Sequence, residues 1–196
     1  MKKYIFYLRL LIYLTVRLDF SVTSVKRFCS RTIEKNSTDY HARFLLAEMY
    51  RSENKNVDAI KQYNSLIKDG FENSKVIYGL AVASFKEEFY DESRKYFKKL
   101  LVINFNTKIA LDHLGRINLI NDNFREAIMY LQQSLKLEPG NPLILENVAY
   151  CYYNTGEYKK SYEAYQKAFE LNPNAELQKN MDLAKSSLEL QNNDIV

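Results

Sequence analysis

Apolar and polar positions alternate along this chain with helical spacing, and from residue 40 onward they do so with a second, longer period. Two late prolines, Pro139 and Pro173, stand 34 positions apart and each follows an amphipathic run, Leu135–Glu138 and Phe169–Asn172. Stepping back by that interval gives four uninterrupted frames, 40–73, 74–107, 108–141 and 142–175. One column holds only small residues, Ala47, Ala81, Gly115 and Ala149, and so does another twelve positions on, Ala59, Ser93, Ala127 and Ser161. Leu46, Leu80, Leu114 and Val148 precede the first small column. Tyr63, Phe97, Leu131 and Tyr165 follow the second by four residues, and Ile67, Leu101, Leu135 and Phe169 by another four. That spacing keeps them on one helix face.

Polar, turn-favouring residues interrupt the pattern at Ser52–Asn56, Lys86–Phe89, Asn121–Asn123 and Asn154–Gly156, so each frame predicts two helices. In the last frame Asn141 is suited to cap, Pro142 fits a first helical turn, Gly156 turns the chain and Pro173 stops the second helix. A side chain larger than serine in either small column would hold the paired axes apart, so the expected unit is an antiparallel helical hairpin, stacked four times. Residues 175–191 predict one further helix, with Leu177, Met181, Ala184 and Leu188 on one face. Residues 176–191 then cap the stack and 192–196 fray.

The arrangement resembles the tetratricopeptide repeat. The fourth frame fills that family's pattern with Leu145, Val148, Ala149, Tyr152, Ser161, Tyr165, Ala168 and Pro173, and the third with Leu111, Leu114, Gly115, Asn118, Ala127, Leu131, Ser134 and Pro139. The second keeps Ile77, Leu80, Ala81, Ser93 and Phe97 but has Ser84 for the tyrosine and Phe105 for the proline. The first keeps Leu46, Ala47, Tyr50, Ala59 and Tyr63, with Arg43 at the leading apolar place and Phe71 for the proline. The resemblance implies an all-α, right-handed α-solenoid of helix-turn-helix hairpins with a C-terminal capping helix, and a non-enzymatic scaffold or adaptor that takes a partner's peptide or helix in a concave groove. Repeat spacing places Phe44, Glu48, Lys75, Tyr78, Val82, Phe85, Asp112, Arg116, Leu119, Glu146, Tyr150 and Tyr153 on that groove. Another reading has some of them packing between neighbouring hairpins.

One form of the family grips a carboxylate terminus with Lys, Asn and Arg from three consecutive first helices. Those places here hold Phe44, Glu48, Gly79, Ile109 and His113 in one frame and Tyr78, Val82, His113, Leu143 and Asn147 in the next, so no chaperone-type carboxylate clamp is expected.

Charge adds one feature. Residues 1–31 carry seven basic side chains against Asp19 alone, which leaves residues 32–196 at −2 out of a total of +4. The body offers no basic track for nucleic acid. Residues 1–39 admit three readings. Tyr4–Val16, apolar but for Arg9 and Thr15 and preceded by Lys2 and Lys3, has the length and basic start of a secretory signal or short anchor. The segment is also Arg-bearing and poor in acids, as organellar addresses are. As structure it forms a degenerate extra hairpin with Ile12, Tyr13, Val25, Cys29 and Ile33 at repeat core places. The first reading carries the alternative function, a membrane-tethered or exported assembly factor with membrane contact through residues 1–20. Localisation, cytoplasmic or membrane-associated, turns on the same choice.

With five glycines and three prolines the chain lacks the turns of a many-stranded barrel and any phosphate-cradling glycine loop. Cys29 and Cys151 make no CxxC, and His41 and His113 are 72 positions apart, so neither a metal site nor a cofactor is expected. Cys151 with His113 is the one conceivable nucleophilic pair, and a buried structural thiol is the simpler reading of Cys151.

Overall fold

The computed structural model describes residues 2–17 and 21–193, and all secondary structure among them is helical. It divides into two compact units, one up to Ile103 and one from Asn104. The first holds α1 (Lys2–Arg17), α2 (Val22–Lys35), α3 (Tyr40–Ser52), α4 (Asn56–Lys68), α5 (Ser74–Lys86) and α6 (Tyr90–Val102). The second holds α7 (Thr107–Ile120), α8 (Phe124–Leu137), α9 (Pro142–Asn154), α10 (Tyr158–Leu171) and α11 (Ala175–Asn193). Residues 194–196, most of the expected frayed tail, lie outside the described residues, and Asn192 and Asn193 continue α11.

The period of 34 is written into the backbone as well as the side chains. Asn54, Glu88, Asp122 and Gly156, one per frame, all have positive φ, between 56 and 77°. After each, an amide reaches back five residues: Lys55 N to Tyr50 O, Phe89 N to Ser84 O, Asn123 N to Asn118 O and Glu157 N to Tyr152 O, at 2.8–2.9 Å. These bonds close the last helical turn around a left-handed residue, which satisfies carbonyls the helix end would otherwise leave open. Three of the four are Asn, Asp or Gly, the types that adopt this conformation at least cost.

Frames end in two different ways. In the first two, Gly70 and Asn104 take positive φ, and Phe71 N bonds Leu66 O at 2.8 Å. In the last two, Glu138 and Asn172 are extended, with φ of −144° and −149°, because the following proline excludes the helical conformation from its predecessor. The frames without proline thus substitute a left-handed turn for it. First helices start on side-chain caps at Asp39, which accepts from Ala42 N at 3.1 Å, and at Asn73 and Asn141, which accept from Val76 N and Ile144 N.

All eight small-column residues are buried. Where the second column is serine, its hydroxyl ties the two helices of the hairpin: Ser93 Oγ donates to Ala81 O at 2.9 Å, and Ser161 Oγ to Ala149 O at 2.8 Å. Both bonds join one small column to the other. Tyr63, Phe97, Leu131 and Tyr165 are buried beside them. The expected deeper column, Ile67, Leu101, Leu135 and Phe169, is only half-buried, whereas Leu66, Leu100, Ser134 and Ala168, one position earlier, are buried. Each second helix is therefore turned by about one residue from the face that the four-residue spacing suggests. Arg43, at an apolar place, sends one guanidinium nitrogen to Ser65 Oγ and the other to Ser37 O at 2.8 Å.

Helices α1 and α2 pack through Phe6, Leu10, Leu14 and Cys29 onto Ala42 and Leu46 of α3, with Tyr13, Val25, Phe28 and Ile33 around them. The Tyr13 and Phe28 rings lie 4.9 Å apart. Ile12, expected in this core by repeat register, is instead 53% exposed. Phe6, Leu10 and Leu14, spaced by four, form the inner face that meets α2 and α3, while Arg9 is exposed on the same side as Ile12. At the other end Leu177 and Ala184 of α11 are buried against Leu145, Ala149, Ala164, Tyr165 and Ala168, with Met181 beside them.

Candidate functional site

The residues expected on the first-helix face fall into two sets, one in each unit. In the first unit, Glu48 accepts from the Tyr63 hydroxyl and from Arg51 Nη2 at 2.8 Å. Burial, then the adjoining carboxylate, raises the Tyr63 pKa. The Tyr63 ring lies 6.4 Å from Phe44 and passes over Gly79, where an added Cβ would stand 2.8 Å from the ring's Cε1. Gly79 thus leaves room for the ring, and the space above it is filled from within. Phe85 packs edge-on against Tyr90 at 5.7 Å, inside its own hairpin. Tyr78 and Val82 are half-buried and Lys75 is exposed.

The second unit is open where the first is filled. Its counterpart of Tyr63 is Leu131, and above it a cavity of about 140 Å³ opens between α7 and α9. Ile109, Asp112, His113 and Arg116 recur on one face of α7 at spacings of three and four, with Leu143 and Asn147 opposite on α9. Asp112 accepts from Ser134 Oγ and pairs with Lys108 at 3.7 Å. Burial, reinforced by the Arg116 charge, lowers the His113 pKa to about 4, so the imidazole is neutral at pH 7. Arg116 is exposed at the mouth. The cavity therefore presents a guanidinium, a neutral imidazole, an amide and the Asp112 carboxylate, already engaged by Ser134 and Lys108, among aliphatic side chains, a lining that offers both donors and acceptors to a polar side chain. At ~300–1,000 Å³ a typical small-molecule site is several times larger, and this one is matched to a single side chain.

Of the other expected residues in this unit, Leu119 is half-buried against the cluster of Ala127, Ile128, Leu131, Ile144, Val148 and Cys151. Tyr153 lies 5.3 Å from Tyr158 and its hydroxyl is 3.2 Å from Ser187 Oγ of α11. Burial, then Glu176 of α11, raises the Glu146 pKa. Tyr150 is 44% exposed with one edge against Phe124 at 6.1 Å. Phe85, Leu119 and Tyr153 share a repeat column, as do Tyr90, Phe124 and Tyr158, and the rings pack across the turn in the pairs Phe85–Tyr90 and Tyr153–Tyr158. Half of that pairing is legible in the repeat alignment, since aromatic residues recur there at the interval of 34.

Cys151 and His113 do not converge. Cys151 is buried among Ala127, Ile128, Leu131, Ile144 and Val148, and does not line the cavity that holds His113. Burial pushes its thiol up to about 12, the reverse of what a nucleophile needs.

Family models of the tetratricopeptide repeat match residues 110–141 and 142–175, the two frames that build this cavity. Residues 110–175 carry two tetratricopeptide repeats. A "TPR repeat-containing protein" of Methanocaldococcus jannaschii is 26% identical over 126 residues, 59% of this chain and 22% of the relative, so the chain spans less than a quarter of that protein's length. Among solved structures, YrrB, described as "a TPR protein with an unusual peptide-binding site", superposes with a TM-score of 0.70 at 20% identity, over 82% of this chain and 84% of that one. MamA superposes with a TM-score of 0.69 at 21% identity, over 80% and 86%. At such identities the likeness is one of fold.

Proposed function

We propose that this repeat array binds an extended or helical segment of a partner protein along its first-helix face, and that the α7–α9 cavity takes an acidic or amide side chain of that segment. The observation that carries the reading is the cavity's lining: Arg116 at the mouth, with His113, Asn147, Ile109 and Leu143 converging, and the Asp112 carboxylate taken up by Ser134 and Lys108, inside a hairpin pair whose counterpart in the first unit is filled by Tyr63. The description of YrrB as carrying a peptide-binding site on the same fold supports it. Tyr150, exposed on α9, adds a rigid aromatic surface of the kind that loses little rotamer entropy on binding. The site has one arginine and no lysine, so it is not the chaperone-tail carboxylate clamp, and an acidic C-terminal chaperone peptide binds no better than a scrambled one.

A displayed peptide library selected on the full chain tests this. Selected peptides contain a fixed Asp, Glu, Asn or Gln, and Arg116→Ala with Asn147→Ala weakens them on the order of tenfold, the effect of removing a charge-assisted bond. Peptides that bind the double variant as tightly as the parent would place recognition elsewhere.

A further inference from the structure

Helix α1 carries two apolar faces and uses one. Phe6, Leu10 and Leu14 turn inward against α2 and α3. At ~100° per residue, Tyr7, Leu11, Leu8, Ile12 and Ile5 fan over an arc of about 160° on the opposite side. Each of these five is 44–59% exposed. The exposed side chain of Arg9 falls beside Ile5 at one edge of that arc, Lys3 is exposed at the N-terminal end of the helix, and Arg27 and Arg31, one turn apart on α2, are exposed as well. An exposed apolar face of this breadth is the signature of a surface that meets something else.

The charge of the region says what. Residues 1–31 hold a formal +6 while the remaining residues hold −2, so the counter-surface is negative. It must also be apolar beneath its charges, because basic groups rim the patch and aliphatic groups fill it. A bilayer with anionic headgroups has that order. The helix has 16 residues, about 24 Å at ~1.5 Å each, short of a hydrocarbon core of ~30 Å, and among the described residues no helix is long and apolar enough to cross a membrane. It lies along a surface and does not span it.

We propose that α1 is an interfacial membrane-binding helix. Leu8, Leu11, Ile12 and Ile5 enter the acyl boundary of an anionic leaflet, Lys3 at the helix end and Arg9 at the patch edge meet headgroups, and the α2 arginines add to the attraction. The α2–α3 core holds the helix in place by its other face, so the anchor needs no refolding to bind.

The test is co-sedimentation of the full chain with phosphatidylcholine vesicles and with vesicles of phosphatidylcholine and phosphatidylglycerol in equal parts. Wild type pellets with the anionic vesicles, less so as salt is raised. Leu8→Ser with Leu11→Ser, and separately Lys3→Glu with Arg9→Glu, lower partitioning on the order of tenfold while circular dichroism stays unchanged. All four side chains are exposed, and the circular dichroism of each variant checks that the fold is kept. Absence of binding to anionic vesicles, equal binding to both vesicle types, or variants that bind like wild type each overturn the proposal. So does a vesicle-free dimer in analytical ultracentrifugation that Leu8→Ser with Leu11→Ser disperses, since the face would then belong to a second copy of the chain.

Discussion

Replacing Ser161 by valine and by alanine separates two reasons for a small residue at the hairpin crossing. Its Oγ stands 2.8 Å from Ala149 O in a fully buried site. A methyl carbon in the same place needs ~3.3–3.6 Å from that oxygen, so α9 and α10 must part by roughly 0.5–0.8 Å. Overpacking of this kind costs about 1–3 kcal/mol, and the lost hydrogen bond about 0.5–1.5. Ser161→Val should therefore destabilise by about 2–4 kcal/mol. Ser161→Ala loses the bond too, but Ala149 O keeps its helical partner, and alanine regains about 0.5 kcal/mol of helix propensity. Its net cost should stay within about 1 kcal/mol, consistent with the alanines that occupy this column at Ala59 and Ala127. Urea unfolding by far-ultraviolet circular dichroism, with tyrosine fluorescence as a second probe against loss of two-state behaviour, measures both. Equal costs for the two variants would show that the bond, not the space, selects the residue. A valine variant within about 0.5 kcal/mol of wild type would show that the helices are not closely apposed.

Two further predictions rest on single residues. His113 titrates at 6.5 unfolded and about 4 folded, so the unfolded chain binds the extra proton as pH falls between those values and stability is lost there, by about 2–3 kcal/mol. His113→Asn, which copies Asn147 one frame on, should flatten that segment of the stability–pH curve. A wild-type and variant pair with parallel curves from pH 7 to 4 would refute the assignment. Glu88 is the one member of its turn column that is not Asn, Asp or Gly, and it pays the steric penalty of a left-handed side chain at φ 61°. Glu88→Gly should stabilise by about 0.5–1 kcal/mol and raise the thermal midpoint; a lowered midpoint would mean that the glutamate side chain contributes more than its backbone costs.

The hairpins were legible because helix crossing punishes any large residue in two columns, and that constraint repeats without insertion from Ala47 to Ser161. Turn positions were visible as polar clusters, but the left-handed residue within each was not, since Asn54, Glu88, Asp122 and Gly156 share conformation and not chemistry. The N-terminal register misled for a related reason. In α1 apolar residues lie on both the buried and the exposed side, so hydrophobicity alone marks its phase weakly, and Ile12 fell on the exposed side. Of the residues lining the candidate site, the family's repeat spacing points to Asp112 and Arg116, whereas the sequence offers His113 as a clamp place and as a partner for Cys151, and Asn147 as a clamp place. Their significance depends on Leu131 leaving the space that Tyr63 fills one unit earlier, and that is a comparison of volumes across frames.

The two cysteines give each half of the chain its own clock. Cys29 and Cys151 are both buried, one in each compact unit, with thiols pushed up to about 12. An alkylating reagent reaches neither while its unit stays closed, so the rate at which each sulfur is labelled follows the opening of its own surroundings. Mass spectrometry of the two cysteine peptides from one labelling reaction would report two opening equilibria side by side, in an unaltered chain and without any introduced probe.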